Sequence, residues 1–252
     1  MIKDLDLTVD ALKIRGQLYL PEDAFPPYPA VILCHGVPSG TVDPTDGGYP
    51  LLASTLSEEG FTVYTFRFRG TGESEGNFDV LGWARDLTAA IEALFQQPEI
   101  DKKRVALVGF SAGAAVSLFV AAKDQRVAAV AACASPADFS AISESTNPQI
   151  TLHYFRKVGI IRDPAYPPSM QEWLSGFRSV NALKAIPAIS PRPVLLIHSS
   201  QDPVVPLSNS ERLYEAAGEP RQIIIIEGSE HRLRRNELAV DSLIYWLKAN
   251  LN

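Results

Sequence analysis

Short apolar runs alternate with longer stretches of helical spacing along almost the whole chain. "PAVILCHG", "FTVYTFRFRG", "KRVALVGF", "RVAAVAACASP", "RPVLLIHSS" and "RQIIIIEG" are short stretches rich in apolar residues that stop at a glycine or a polar residue. The first, a continuous apolar run stopped by glycine, is expected of a strand buried on both faces, and the others read as strands. Between them, "GGYPLLASTLSEEG", "VLGWARDLTAAIEALFQQ", "SNSERLYEAAG" and "LRRNELAVDSLIYWLKANL" carry apolar residues at helical spacing. The first of these stops at Gly60, a fitting helix C-cap. Strands alternating with helices call for a mostly parallel sheet, with right-handed crossovers placing helices on both faces. The first twenty residues alternate apolar and polar residues and read as two more strands with a turn near Asp10. The expected fold class is therefore α/β, with an eight-stranded sheet.

From Asp138 to about Ile189 neither period holds for long, and aromatics and prolines accumulate. A stretch of that length is too long for an ordinary connection. The organisation expected is one domain over residues 1–252 with a small cap inserted at about 138–189. At 252 residues and 46% hydrophobic, the chain can bury a full core. The formal net charge of −6 leaves no electrostatic footprint for nucleic acid. The one basic cluster, Arg232, Arg234 and Arg235, is short and interleaved with apolar residues. No apolar run is long enough to span a bilayer, and the N-terminal stretch lacks the apolar centre of a signal peptide. A cytoplasmic protein with no membrane partner is the expectation. Cys34 and Cys133 sit at the ends of apolar runs, where free buried thiols are expected.

In open parallel sheets, ligands bind beyond the C-terminal ends of the strands. Those ends carry His35-Gly36, then Ser111 between Gly109 and Gly113, then Asp202 beyond His198, then His231 beyond Glu227-Gly228. A serine, an acid and a histidine thus arrive at one edge of the sheet. A serine hydroxyl becomes a competent nucleophile when histidine removes its proton, and a carboxylate orients the imidazole. The helix that follows Ser111 aims unpaired N–H groups at the same point, with the Ala112 N–H as a natural oxyanion donor.

The motifs "LCHGVPSG", "RFRGTGESEG", "GFSAG", "HSSQDPVVP" and "EGSEHRL" appear in that order, each at a strand end. On these the chain resembles the α/β-hydrolase superfamily over nearly its whole length. Within it, the chain is similar to compact cytosolic carboxylesterases of the cinnamoyl/feruloyl-esterase and serine-aminopeptidase-like groups. The resemblance implies Ser111 as nucleophile, Asp202 as acid, His231 as base, and the N–H groups of Val37 and Ala112 as oxyanion hole. It implies a serine esterase that cleaves small acyl or aryl esters through an acyl-enzyme, with a small-molecule ester as partner and no metal or organic cofactor. A peptidase or amidase on the same triad, and a non-catalytic binding member of the fold, stand as alternatives. A homodimer is entertained as a partner state.

Rivals exist for several of these residues. Asp138 also follows a strand but lacks the motif that surrounds Asp202. His35 is expected to shape the oxyanion loop and to border the substrate, and His198 to pack at its strand end. His153 lies among the cap residues. "RGTGESEG" lacks the Lys-Ser/Thr of a phosphate loop and reads as a structural turn. Phe139, Tyr154, Phe155, Trp173 and Phe177 either wall an apolar substrate pocket or fasten the cap to the sheet. Tyr154, Phe155 and Trp173 are carried forward with His35 as substrate-binding candidates.

Overall fold

The computed structural model describes residues 1–22, 25–38 and 46–251. Its strands are β1 (Ile2–Asp4), β2 (Leu7–Val9), β3 (Leu12–Ile14), β4 (Gly16–Tyr19), β5 (Tyr28–Cys34), β6 (Thr62–Phe66), β7 (Ile100–Phe110), β8 (Ala129–Cys133), β9 (Val194–Ser199) and β10 (Arg221–Ile226). Eight of them form one sheet in the order β1-β4-β6-β5-β7-β8-β9-β10. Every pair from β6 through β10 is parallel, and the antiparallel pairs are β1 with β4 and β4 with β6, at one edge, so β4 alone runs against the rest of the sheet.

The helices are α1 (Gly48–Glu58), α2 (Val80–Phe95), α3 (Ala112–Ala121), α4 (Ser140–Ser143), α5 (Pro148–Lys157), α6 (Met170–Ser179), α7 (Ala182–Ala185), α8 (Ser208–Ala216) and α9 (Glu237–Leu251). They cover both faces of the sheet. Along β5, Ala30, Ile32 and Cys34 join the layer shared with α2 and α3, while Val31 and Leu33 join the layer shared with α1 and α9. Successive strand residues point to opposite faces, so a strand packed on both sides must be apolar throughout. Gly60 closes α1 with φ +93°, a left-handed conformation that glycine adopts without steric cost.

The N-terminal twenty residues differ from the sequence expectation. They form four short strands rather than two. Asp10 and Ala11 both have positive φ (+52° and +63°), and the tight turn pairs β2 with β3 as a separate two-stranded sheet. β1 and β4 flank this hairpin and pair at the edge of the main sheet. The alternation runs on through the breaks at Leu5-Asp6 and Arg15, so pattern alone cannot show where one sheet is left for the other.

The segment between β8 and β9 folds into α4–α7 and a 3-10 turn at Ile186–Ile189. It is fastened to the loop that follows β6. Arg162 donates to the carbonyls of Ser74 (3.0 Å) and Gly72 (2.6 Å), and Phe78 N–H donates to Ile160 O (2.8 Å). Among the described residues, no helix is long and apolar enough to cross a membrane.

Candidate active site

Ser111 stands where β7 turns into α3, with φ +53° and ψ −127°. A non-glycine residue in that conformation costs on the order of 1–3 kcal/mol and persists only where the surroundings enforce it. The neighbours enforce it by proximity. A methyl on Gly109 would meet Ala114 Cα at 2.4 Å, and one on Gly113 would meet His35 O at 2.2 Å. Neither glycine has a positive φ. Both are glycine because β7, α3 and the end of β5 touch backbone to backbone. Ser111 N–H donates to Cys133 O (2.8 Å), which ties the turn to β8. Ser111 is the N-cap residue of α3, yet its hydroxyl makes no capping bond. It lies 3.2 Å from His231 Nε2.

The imidazole of His231 bonds through Nδ1 to Asp202 Oδ2 at 2.6 Å. A carboxylate can only accept, so the proton sits on Nδ1 and Nε2 is left to accept the serine proton. The other oxygen of Asp202 accepts the N–H groups of Val204 (2.8 Å) and Val205 (2.9 Å). His198 completes this turn. Its Nε2 donates to Val205 O (2.8 Å) and its Nδ1 accepts from Ser210 Oγ (2.6 Å). Burial lowers its pKa, and the ring braces the Asp202 loop. The rival acid, Asp138, is engaged elsewhere by Arg212 (2.9 Å) and Ser140.

The loop after β5 brings His35, Gly36 and Val37 against Ser111. A methyl on Gly36 would stand 2.8 Å from Ser111 Cβ. His35 Nε2 accepts from Phe68 N–H (3.1 Å), so Nδ1 carries the proton and donates to Gly36 O (2.7 Å). Full burial pushes the His35 pKa down to about 4. This ring is a neutral brace for its loop.

A cavity of about 600 Å³ opens at Ser111 and His231. Val37, Tyr49, Arg67, Phe110 and Val158 are among its walls, and His35 reaches it as well. Tyr154, Phe155 and Trp173 do not line it, which corrects the expectation for these three. Trp173 is buried and donates Nε1–H to Phe78 O (3.1 Å). Phe155 is buried edge-on against Phe78 with ring centroids 4.7 Å apart, and Tyr154 is an exposed neighbour on α5. Phe177 and Phe139 continue the same aromatic cluster. These rings fasten the segment to the sheet because their apolar area is worth more in the core than at a wet cavity wall. Tyr49, Arg67 and Val158 are among the cavity residues that sequence reasoning missed. Only Arg67, a charge at the end of an apolar strand, left a trace in the sequence.

Cys34 and Cys133 are free thiols, and burial pushes each up to about 12. Among the described residues, no three His, Cys, Asp or Glu side chains are grouped to hold a metal ion.

A model of the alpha/beta hydrolase family matches residues 31–239. An uncharacterized protein of Mycobacterium tuberculosis, Rv2307c, is 31% identical over 224 residues, which cover 89% of this chain and 70% of that protein. A polyketide transferase of a Penicillium species, GrgF, is 26% identical over 263 residues, covering 89% of this chain and 87% of its own. Its crystal structure superposes over 100% of this chain and 99% of that one with a TM-score of 0.78 at 22% identity. The Pyrococcus furiosus esterase Pf2001 covers 100% of this chain and 92% of its own, with a TM-score of 0.73 at 20% identity.

Proposed function

The chain belongs to the alpha/beta hydrolase family, and we propose that it is a serine hydrolase of carboxylic esters that works through an acyl-enzyme. The observation that carries this reading is the hydrogen-bonded series from Ser111 Oγ through His231 to Asp202. Ser111 Oγ attacks the ester carbonyl carbon as its proton passes to His231 Nε2. The tetrahedral oxyanion is held by the N–H groups of Val37 and Ala112, each donor of this kind being worth about 2.7–4 kcal/mol. The C–O bond to the alcohol then breaks, and His231 returns the proton to the departing oxygen. Water attacks the acyl-enzyme, again with His231 as base, and releases the acid with Ser111 restored. Asp202 keeps the Nδ1 proton in place throughout and stabilises the imidazolium.

Labelling with a fluorophosphonate tests the nucleophile. The wild-type protein is expected to label and Ser111→Ala is not; an unlabelled wild type would favour a non-catalytic member of the fold. Paired assays on p-nitrophenyl esters and aminoacyl-anilides test the bond cleaved. Faster turnover of the anilides would replace the esterase reading with that of a peptidase. The similarity to a polyketide transferase supports a second reading, in which an alcohol rather than water resolves the same acyl-enzyme. Partitioning of product between free acid and transferred ester, with added alcohol, separates the two.

A further inference from the structure

The cavity at Ser111 is walled by cations in a protein whose net charge is −6. Arg67, Arg232 and Arg234 line it, and Asp46 is the one carboxylate on its wall among the described residues. Asp46 is already engaged. It pairs with Arg234, lies 3.7 Å from Arg232 Nη1, and accepts from Gly48 N–H (2.9 Å). The guanidinium of Arg234 lies 5.3 Å over the Tyr49 ring, and its Nε and Nη1 are buried with no acceptor.

Arg67 is the cation left over. It follows β6 directly, is exposed, and forms no ion pair among the described residues. It also borders the adjoining groove that holds Asp4, Asp6 and Glu73. Asp6 is held there by Arg15 (2.7 Å) and Lys13 (3.5 Å), and Asp4 accepts from Gln17 (3.1 Å). The charge of Arg67 acts on Tyr49 and His35, which are both at the site. A guanidinium presents a planar fork of donors that matches a carboxylate. Placed on the wall of the cavity that holds Ser111 and without an ion pair of its own among the described residues, it is a receptor for one.

We propose that the substrate carries a carboxylate, held by Arg67 while its ester carbonyl lies at Ser111, with Arg234 and Arg232 adding to the attracting field. This rests on the reading of the site as that of an ester hydrolase. The charged group sits either on the acyl side, as in a half-ester of a small dicarboxylic acid, or on the alcohol side.

Two matched pairs of esters distinguish these. The 4-methylumbelliferyl half-ester of adipic acid is compared with 4-methylumbelliferyl hexanoate, and 4-acetoxybenzoate with its methyl ester. In one pair the charged ester is expected to have a kcat/KM about tenfold higher or more at low ionic strength. That ratio should fall in about 0.5 M salt, collapse toward one in Arg67→Gln, and be largely kept in Arg67→Lys. Adipate is also expected to slow fluorophosphonate labelling of the wild-type protein and not of Arg67→Gln. Charged esters no better than neutral ones in both pairs, or a ratio indifferent to Arg67→Gln, would overturn the proposal while hydrolysis of the neutral esters left the hydrolase reading intact. No turnover of any ester together with no labelling would remove both.

Discussion

A methyl placed on Gly113 would stand 2.2 Å from the carbonyl oxygen of His35 and 2.6 Å from that of Cys34. The first turn of α3 thus rests directly on the end of β5, and neither partner is a side chain that could swing aside. Gly113→Ala has to separate them. It is expected to cost about 1–3 kcal/mol of stability and to displace Ser111 from His231. Gly60→Ala is the contrast, because nothing lies within 4 Å of the added methyl and only its φ of +93° is strained. It should cost about 1–2 kcal/mol with ester turnover retained. Urea midpoints and kcat for both variants check this, and a Gly60→Ala protein that loses more activity than Gly113→Ala would contradict it.

Asp202→Asn keeps an oxygen for the N–H groups of Val204 and Val205 and turns an NH2 toward His231. The imidazole must then accept at Nδ1 and carry its proton on Nε2, where it can no longer receive one from Ser111. A fall in kcat of about 10⁴ is expected, with a urea midpoint close to that of the wild type. A loss below tenfold would show that Asp202 does not set the tautomer.

His35 gives stability a pH dependence of definite sign. Its pKa is about 4 in the folded protein against an ordinary 6.5. Between those values the unfolded chain binds more protons, so its contribution is complete above pH 6.5 and is lost as the pH falls toward 4. The loss amounts to about 3 kcal/mol. His198, also lowered by burial, acts in the same direction. Urea midpoints from pH 7 to pH 4 should therefore decline more steeply in the wild type than in His35→Gln. Parallel slopes would mean that His35 is not held neutral.

Much of the fold and of the meeting of Ser111, His231 and Asp202 was legible because one cause wrote both. Strands buried on two faces must be apolar throughout, so β5 through β9 stood out; Ser111 and Asp202 follow the ends of such runs, and His231 follows the edge strand β10, which is only partly buried. The walls of the cavity were not legible. Tyr49 opens α1, Arg67 follows β6 and Val158 closes α5, and nothing local links three residues that only the folded chain brings together. The aromatic residues between β8 and β9 stayed ambiguous for a different reason. An apolar ring fills a core or walls a pocket with the same composition and spacing, and only the partners of Phe155 and Trp173 decide which.

Arg69 anchors the loop after β6 from beneath. Its guanidinium reaches Asp86 at 2.7 Å, both groups being buried, and Asp10 at 2.9 Å in the hairpin turn. Asp86→Ala leaves that charge without its buried partner and is expected to lower stability by about 3–5 kcal/mol. Replacing Arg69 by Met in the same protein should recover part of it. Denaturant unfolding of the two variants decides, and a double variant no more stable than Asp86→Ala would argue against the pairing as the cause.

Phe155, Trp173 and Phe177 close the body of the protein around Phe78. A segment built in this way is no exchangeable cassette. Swapping it for another would open a hole in the interior, so what the site accepts is more readily changed one wall residue at a time. Positions 37, 49, 67 and 158 are where such drift, or a deliberate library, has room to act.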